Sequence, residues 1–331
     1  MSTIRDLPSS FVVSGISIPA VGFGTFQGGS SNGQVKKAVL KALQHGYRHI
    51  DTAASYGNER EVGEAIKESG IPRSELFITT KLSQTWHDPA DVEEALGHSL
   101  SALQVDYVDL YLMHLPHAYV AGPNHSTLRH ANGKPIIDHE LSRAYPQTWT
   151  AMEKLVENGK TRLIEGLSNF NILKMKRILE IAKIRPAVNQ VELHPYFPQP
   201  HLLNFCAREG IHVTAHQPLG GKPVAAVNPN IDRPGPLLDS DIAQIVSTYG
   251  KSPAQVLLSW AVQRGTSVIP KTVQEYRMME NRGIFRLSDE DMKVIDALAE
   301  VKGAVRFLDP RGHIGFDIFD EAVDEPADPA N

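Results

Sequence analysis

Four residues of this chain have types and spacings that could do chemistry together: Asp51, Tyr56, Lys81 and His114. Asp51 closes a short hydrophobic stretch that begins at Tyr47, and Tyr56 follows five residues later in YRHIDTAASYGNE. Lys81 closes FITTKL, and His114 closes DLYLMHL. A lysine or histidine inside such buried-type runs needs a partner, because an unpaired buried charge is expensive. Asp51 can neutralise Lys81, and Lys81 can then lie against Tyr56. An ammonium beside a phenol favours the phenolate, drawing the tyrosine below its usual pKa of about 10. A phenol so tuned can give its proton to a developing alkoxide, while a ring N–H of His114 orients the carbonyl oxygen. The set suits reduction of C=O by hydride. Taken singly, each residue has a plainer reading: a cap, a lysine reaching solvent, a satisfied core histidine. Three of them ending consecutive apolar runs argue for the joint reading.

The elements that must position them alternate in type. Apolar β-type runs occur at 47–51, 76–81, 107–114, 162–167, 188–193, 211–216, 267–271 and 284–286. Amphipathic stretches lie between them. Asp88-Pro89 predicts a capped helix start before Ala90 to Leu103, Ser252 with Gln255 reads as a capping box, and Ser288 with Asp291 resembles another. The interval between the sixth and seventh runs holds two helices, 237–249 and 253–264. Eight βα units with near-continuous apolar strands predict a parallel sheet closed into a (β/α)8 barrel, where active sites sit at the C-terminal strand ends. FVVSGISIPAVGFGT predicts a β-hairpin turning at Ser14-Gly15. No linker divides the chain, so 1–331 is read as a single domain: hairpin about 11–25, barrel about 46–300, C-terminal loop and tail 301–331. The loops 117–146 and 220–236 follow strand ends and should rise over the site. The tail after Val305 ends in EAVDEPADPAN, expected to be disordered.

Other chemistries find little support. GKT at Gly159 and GKS at Gly250 lack the earlier glycine of a phosphate loop, and Gly22-Phe23-Gly24 is followed by Gln27, so no GxGxxG forms. There is no HExxH, no GxSxG, and no tyrosine followed four residues later by lysine. No metal site is expected, since His114 and His117 flank a proline and make a poor chelate. The net charge of −5 and the lack of basic clusters argue against nucleic acid. No apolar run approaches a bilayer span, and the N-terminus lacks a signal pattern. Cys206, the single cysteine, reads as core and suits a reducing compartment. A cytoplasmic location is expected.

DTAASYGNE, LFITTKL, LYLMHLP, GLSNF, NQVELHPY, TAHQPLG and IPKT, with Arg277 and Glu280-Asn281, together resemble the aldo-keto reductase family from about Ile18 to Leu298. The resemblance implies a (β/α)8 TIM barrel whose base is closed by the hairpin and which carries two additional helices. It implies an NADPH-dependent carbonyl reductase with Asp51, Tyr56, Lys81 and His114 as its catalytic tetrad. By motif, Gly24, Thr25 and Asp51 border the cofactor. Ser168, Asn169 and Gln190 hold the carboxamide, and Gln217, Leu219 and Gly220 lie at the pyrophosphate. Lys271, Thr272 and Arg277 hold the 2′-phosphate, with Glu280 and Asn281 near the adenine. Two cations there favour NADPH over NADH. His216 stands where many members stack a tyrosine on the nicotinamide. Phe26, Ser83 and Leu115 occupy substrate-pocket positions where aldose-reducing members carry tryptophans; Trp86 or Trp149 could compensate. The implied partner is a small carbonyl compound, and the implied state is monomer or dimer. An alcohol or polyol dehydrogenase running in the oxidative direction, and a non-catalytic NADPH-binding relative, remain open at this point.

Overall fold

The computed structural model describes residues 6–28, 32–161, 165–221, 233–314 and 318–319. Strands β1 (Ser10–Val13) and β2 (Ile16–Pro19) form the expected hairpin. Its turn at Ser14 (φ 49°) and Gly15 (φ 82°) is left-handed, as a tight hairpin requires. Then come β3 (Phe23–Gly24), β4 (His49–Asp51), β5 (Phe77–Leu82), β6 (Leu110–Met113), a small ribbon of β7 (Ala118–Tyr119) and β8 (Ile137–Asp138), β9 (Gly166–Ser168), β10 (Val188–Glu192), β11 (His212–His216) and β12 (Ser267–Val268).

All but the hairpin and ribbon belong to one parallel sheet, in the order β12-β11-β10-β9-β6-β5-β4-β3. Val21 bridges Val268 in parallel, and the Gly22 and Gly24 amides donate to the carbonyls of Val268 and Pro270 at 2.8 and 3.1 Å. That seam turns the sheet into a barrel. The hairpin plugs the base: Val13 and Ile18 are buried with Phe77, Leu110, Leu112, Ala187 and Val188, at or near the strands' N-terminal ends. The strand C-termini therefore point away from the plug, towards the other mouth.

Helices Val35–Gln44, Glu59–Ser69, Val92–Leu103, Tyr145–Glu157, Ile172–Ile181, Pro200–Glu209, Pro253–Gln263 and Glu275–Arg282 follow successive barrel strands. Ser240–Tyr249 and Asp289–Lys302 are the two longer additions among the described residues, beside the short helices His139–Arg143 and Arg311–Ile314. The capping box at Ser252 and Gln255 is present. Ser288 caps its helix through Asp291 N, but its own amide goes to Tyr249 Oη instead of closing a second box. Asp88 makes a turn with Ala90 N at 2.9 Å, and the helix starts later, at Val92.

The eighth strand corrects the sequence reading. Residues 284–286 are not a strand. They form an extended connector whose neighbouring amides go to side chains, Phe285 N to Ser259 Oγ and Leu287 N to Gln263 Oε1. The missing barrel position is filled by β3, expected only as the end of the hairpin. The loop 117–146, without pattern in sequence, is an antiparallel excursion: β7 pairs with β8, and Ala121–Thr127 and Arg129–Pro135 are bridged. The start of the expected strand 162–167, most of the loop 220–236 and the end of the tail lie outside the described residues.

Candidate active site

Asp51 ends β4, Lys81 lies near the end of β5, and His114 follows β6, so three neighbouring strands deliver them to one mouth. The Lys81 ammonium, 0% exposed, donates to Asp51 Oδ1 at 2.5 Å, to the Thr52 carbonyl at 2.8 Å and to Tyr56 Oη at 3.3 Å. Three donors meet three acceptors. The second Asp51 oxygen takes Gln190 Nε2 at 2.6 Å, so a carboxylate taken out of water keeps partners on both oxygens.

Tyr56 sits in the one-turn 3-10 helix Ala54–Tyr56, with its ring edge-on to His114 at 5.6 Å and to Phe26 at 5.0 Å. Buried Asn58 holds this turn in place: its Nδ2 donates to the Thr25 carbonyl at 3.0 Å, and its Oδ1 accepts from Thr52 Oγ1 at 3.1 Å. Because Lys81 donates to the phenol oxygen, the phenol's own proton must point away from the ammonium.

The electrostatics differ from the expectation at Tyr56. Burial raises its pKa, and the nearby Lys81 charge, which lowers it, does not win, so the phenol lies above its ordinary value. Desolvation is the effect that strand-end patterning could not weigh. At Lys81, burial works downward, but Asp51 and Tyr56 overcome it and hold the ammonium's pKa up. His114 is held well below the usual imidazole value by burial and then by Lys81, so it is neutral near pH 7. His216 is pushed down to about 4, again mainly by burial.

Beside the quartet lies a second cluster. The Asn169 side chain, on a residue with φ 63°, donates to the His114 carbonyl at 3.0 Å and to Ser168 Oγ at 3.1 Å, while its Oδ1 meets His216 Nε2 at 2.9 Å. Ser168 Oγ donates to the Gln190 carbonyl at 3.0 Å. Gly24 and Thr25 lie where β3 abuts 269–271: a Cβ on Gly24 would come within 2.9 Å of the Ile269 carbonyl oxygen. Thr25 Oγ1 donates to the Asp51 carbonyl at 3.0 Å. Gln217 (φ 48°) donates to the Gly221 carbonyl at 2.8 Å, and Gly220 has φ 68°, so residues 217–221, including Leu219, turn sharply after β11. Lys271 donates to Gln27 Oε1, and Arg277 Nε to Tyr276 Oη at 2.9 Å. No carboxylate pairs with either cation among the described residues. Thr272 and Asn281 are buried and Glu280 half-buried nearby in sequence.

Of the expected pocket residues, Phe26 meets Tyr56 directly. Half-buried Leu115 packs with Ile314, Ile318 and Phe319 of the C-terminal segment, and Ser83 leads into the turn Gln84–Trp86. Trp149 does not compensate, being fully buried in the core. Trp86 lies flat against His125 of the excursion at 3.4 Å. Sequence reasoning missed Thr52, Asn58, Ser55 and Glu192. Only Glu192 left a signal, as a carboxylate in the run VNQVEL.

Comparison with known proteins agrees with this layout. The model of the Aldo/keto reductase family matches residues 20–300. Aldo-keto reductase family 1 member A1 of Mus musculus is 45% identical over 291 residues, spanning 86% of this chain and 87% of that protein. Member A1-A of Danio rerio is 46% identical over 288 residues, 85% of this chain and 86% of that protein. The aldose reductase structure from Schistosoma japonicum superposes with a TM-score of 0.83 at 34% identity, over 94% of this chain and 97% of that one. That from Giardia lamblia gives 0.81 at 35% identity, over 91% and 98%. With barrel, mouth and matching motifs in register, this chain belongs to the aldo/keto reductase family.

Proposed function

We propose that the protein reduces an aldehyde or ketone to an alcohol with NADPH, and that Tyr56 supplies the proton. The observation that carries this is the Lys81 ammonium, sealed from solvent, committed at once to Asp51, Thr52 and the Tyr56 oxygen, beside a neutral His114. When bound, the dinucleotide supplies a hydride. Tyr56 passes its phenolic proton to the oxygen as negative charge grows there. Its raised pKa keeps the phenol protonated at neutral pH, so the donor is loaded before the reaction. Lys81 then faces the phenolate that remains, in a low-dielectric setting where that interaction is strongest. Asp51 balances Lys81 while the phenol is neutral. His114, neutral and able to donate one N–H, holds the substrate oxygen.

The residues present fit NADPH. Lys271 and Arg277 lack carboxylate partners among the described residues, which suits them to a 2′-phosphate, with Thr272 beside them. Ser168, Asn169 and Gln190 offer amide and hydroxyl groups for the carboxamide, and His216 offers a flat ring where a tyrosine is common. Gly24 and Thr25 border this path; Gln217, Leu219 and Gly220 would take the pyrophosphate, and Glu280 and Asn281 the adenine. Phe26, Ser83 and Leu115 would face the substrate, in a single barrel domain placed in the cytoplasm.

Tyr56→Phe tests the reading, with NADPH and NADH oxidation followed in parallel on an aromatic aldehyde. Carbonyl reduction should fall by about 10²–10⁴-fold with NADPH affinity kept. Turnover near wild type, or a preference for NADH, would contradict it.

A further inference from the structure

Ser55 precedes Tyr56 in the 3-10 turn, and its Oγ lies 3.1 Å from Nδ1 of His114. His114 is its sole side-chain partner among the described residues. The opposite ring nitrogen, Nε2, has no hydrogen-bond partner there either, and is not among the buried atoms sealed from solvent. A neutral imidazole carries one proton on one of two nitrogens, and the bond made at one nitrogen decides what the other can offer. If the Ser55 hydroxyl donates, Nδ1 is the acceptor and Nε2 keeps the proton. If Ser55 accepts, Nε2 presents a lone pair, which repels a carbonyl oxygen.

We propose that Ser55 is a positioning residue: its hydroxyl donates to Nδ1 of His114 and so fixes the Nε2–H tautomer that faces the substrate oxygen. This rests on the proposed role of His114 in carbonyl reduction. One turn then positions two donors, Tyr56 through the backbone and His114 through a side chain. Ser55 is exposed, so water competes for Nδ1 when the hydroxyl is removed. The loss should therefore be partial. Ser55 packs nothing in the core, and its turn accepts alanine without strain.

The test uses the full chain with NADP+ bound and histidine ring nitrogens labelled with ¹⁵N, the His114 signals being assigned by their absence in His114→Gln. Wild type should show a pyridine-type Nδ1 and a pyrrole-type Nε2. Ser55→Ala should move both signals towards a mixture and lower kcat about five- to tenfold, in line with the loss of one modest hydrogen bond, with NADPH affinity within about twofold of wild type. Ser55→Thr, which restores a hydroxyl, should recover both tautomer and kcat. Unchanged ring signals in Ser55→Ala with kcat within about twofold of wild type would overturn the proposal, as would a wild-type ring protonated at Nδ1. If Ser55→Ala moves the ring signals but the wild-type protein reduces no carbonyl, the hydrogen bond is upheld and the reading of the site falls.

Discussion

Lys81 and Asp51 are each buried almost completely, and each satisfies the other. Removing one partner of such a pair strands the other, which typically destabilises by about 3–5 kcal/mol, while removing both is far milder. Lys81→Met should therefore lower the melting temperature markedly, because Gln190 alone is left facing the Asp51 carboxylate. Adding Asp51→Asn should recover much of the loss, although neither variant should reduce carbonyls. Thermal unfolding of wild type, both single variants and the double variant measures this; a Lys81→Met single as stable as wild type would show that the pair does not hold the ions. The pair was legible in the sequence because a charged residue ending an apolar run stands out. The groups that hold the turn around it were not. The Thr52 carbonyl belongs to the backbone, and Ser55 and Asn58, which bond His114 and the Thr25 carbonyl, are ordinary loop residues whose importance comes only from where the turn places them.

At the scale of elements, the C-terminal segment is fixed by Glu192 at the end of β10. This carboxylate, on a residue only 1% exposed, accepts the successive amides of Phe307 and Leu308 at 2.6 and 2.7 Å and bonds His194 Nε2 at 2.8 Å. Burial would raise its pKa, but His194 and the amides outweigh burial and hold it low. Bonds to an ionised carboxylate are stronger than neutral ones, so this clasp anchors the segment that brings Ile314, Ile318 and Phe319 onto Leu115, Tyr119 and Ile137. Glu192→Ala should release it, and trypsin should cut at Arg306 and Arg311 about tenfold faster or more, with far-UV circular dichroism unchanged. Glu192→Gln, which keeps the shape but loses the charge, should fall between. Equal cleavage of all three would place the anchor elsewhere. Other elements were read with mixed success for physical reasons. Long runs such as FITTKL declare themselves. The β3 strand is only Phe23–Gly24, recognisable from its partners and not from its composition. Residues 284–286 have strand-like side chains, but Ser259 and Gln263 claim the neighbouring amides, so no ladder forms.

Across the whole molecule, the buried histidines set the acid limit. His49, His87 and His117, each at most 1% exposed, are pushed down to about 3, chiefly by burial. An unfolded histidine titrates near 6.5, so below that pH the unfolded chain binds protons that the folded chain refuses. Stability therefore falls as pH falls, by about 2 kcal/mol per residue at pH 5. Three such residues remove a large part of a typical total of about 5–15 kcal/mol. Melting temperatures measured from pH 7.5 to 4.5 should hold above about pH 6.5 and drop steeply below it; a flat profile down to pH 5 would contradict the assignment. The seam between β3 and β12 also has a kinetic meaning. The strands that close the barrel lie far apart along the chain, so closure must await synthesis through β12 and carries the largest loop entropy of any pairing in the sheet. Until then both edges lie open to mispairing. The segments proposed to flank the dinucleotide, Gly24-Thr25 and Lys271-Thr272, sit on the two sides of that seam, so a newly made chain gains the nucleotide only in its final folding step, and the nucleotide in turn latches the ring shut by mass action.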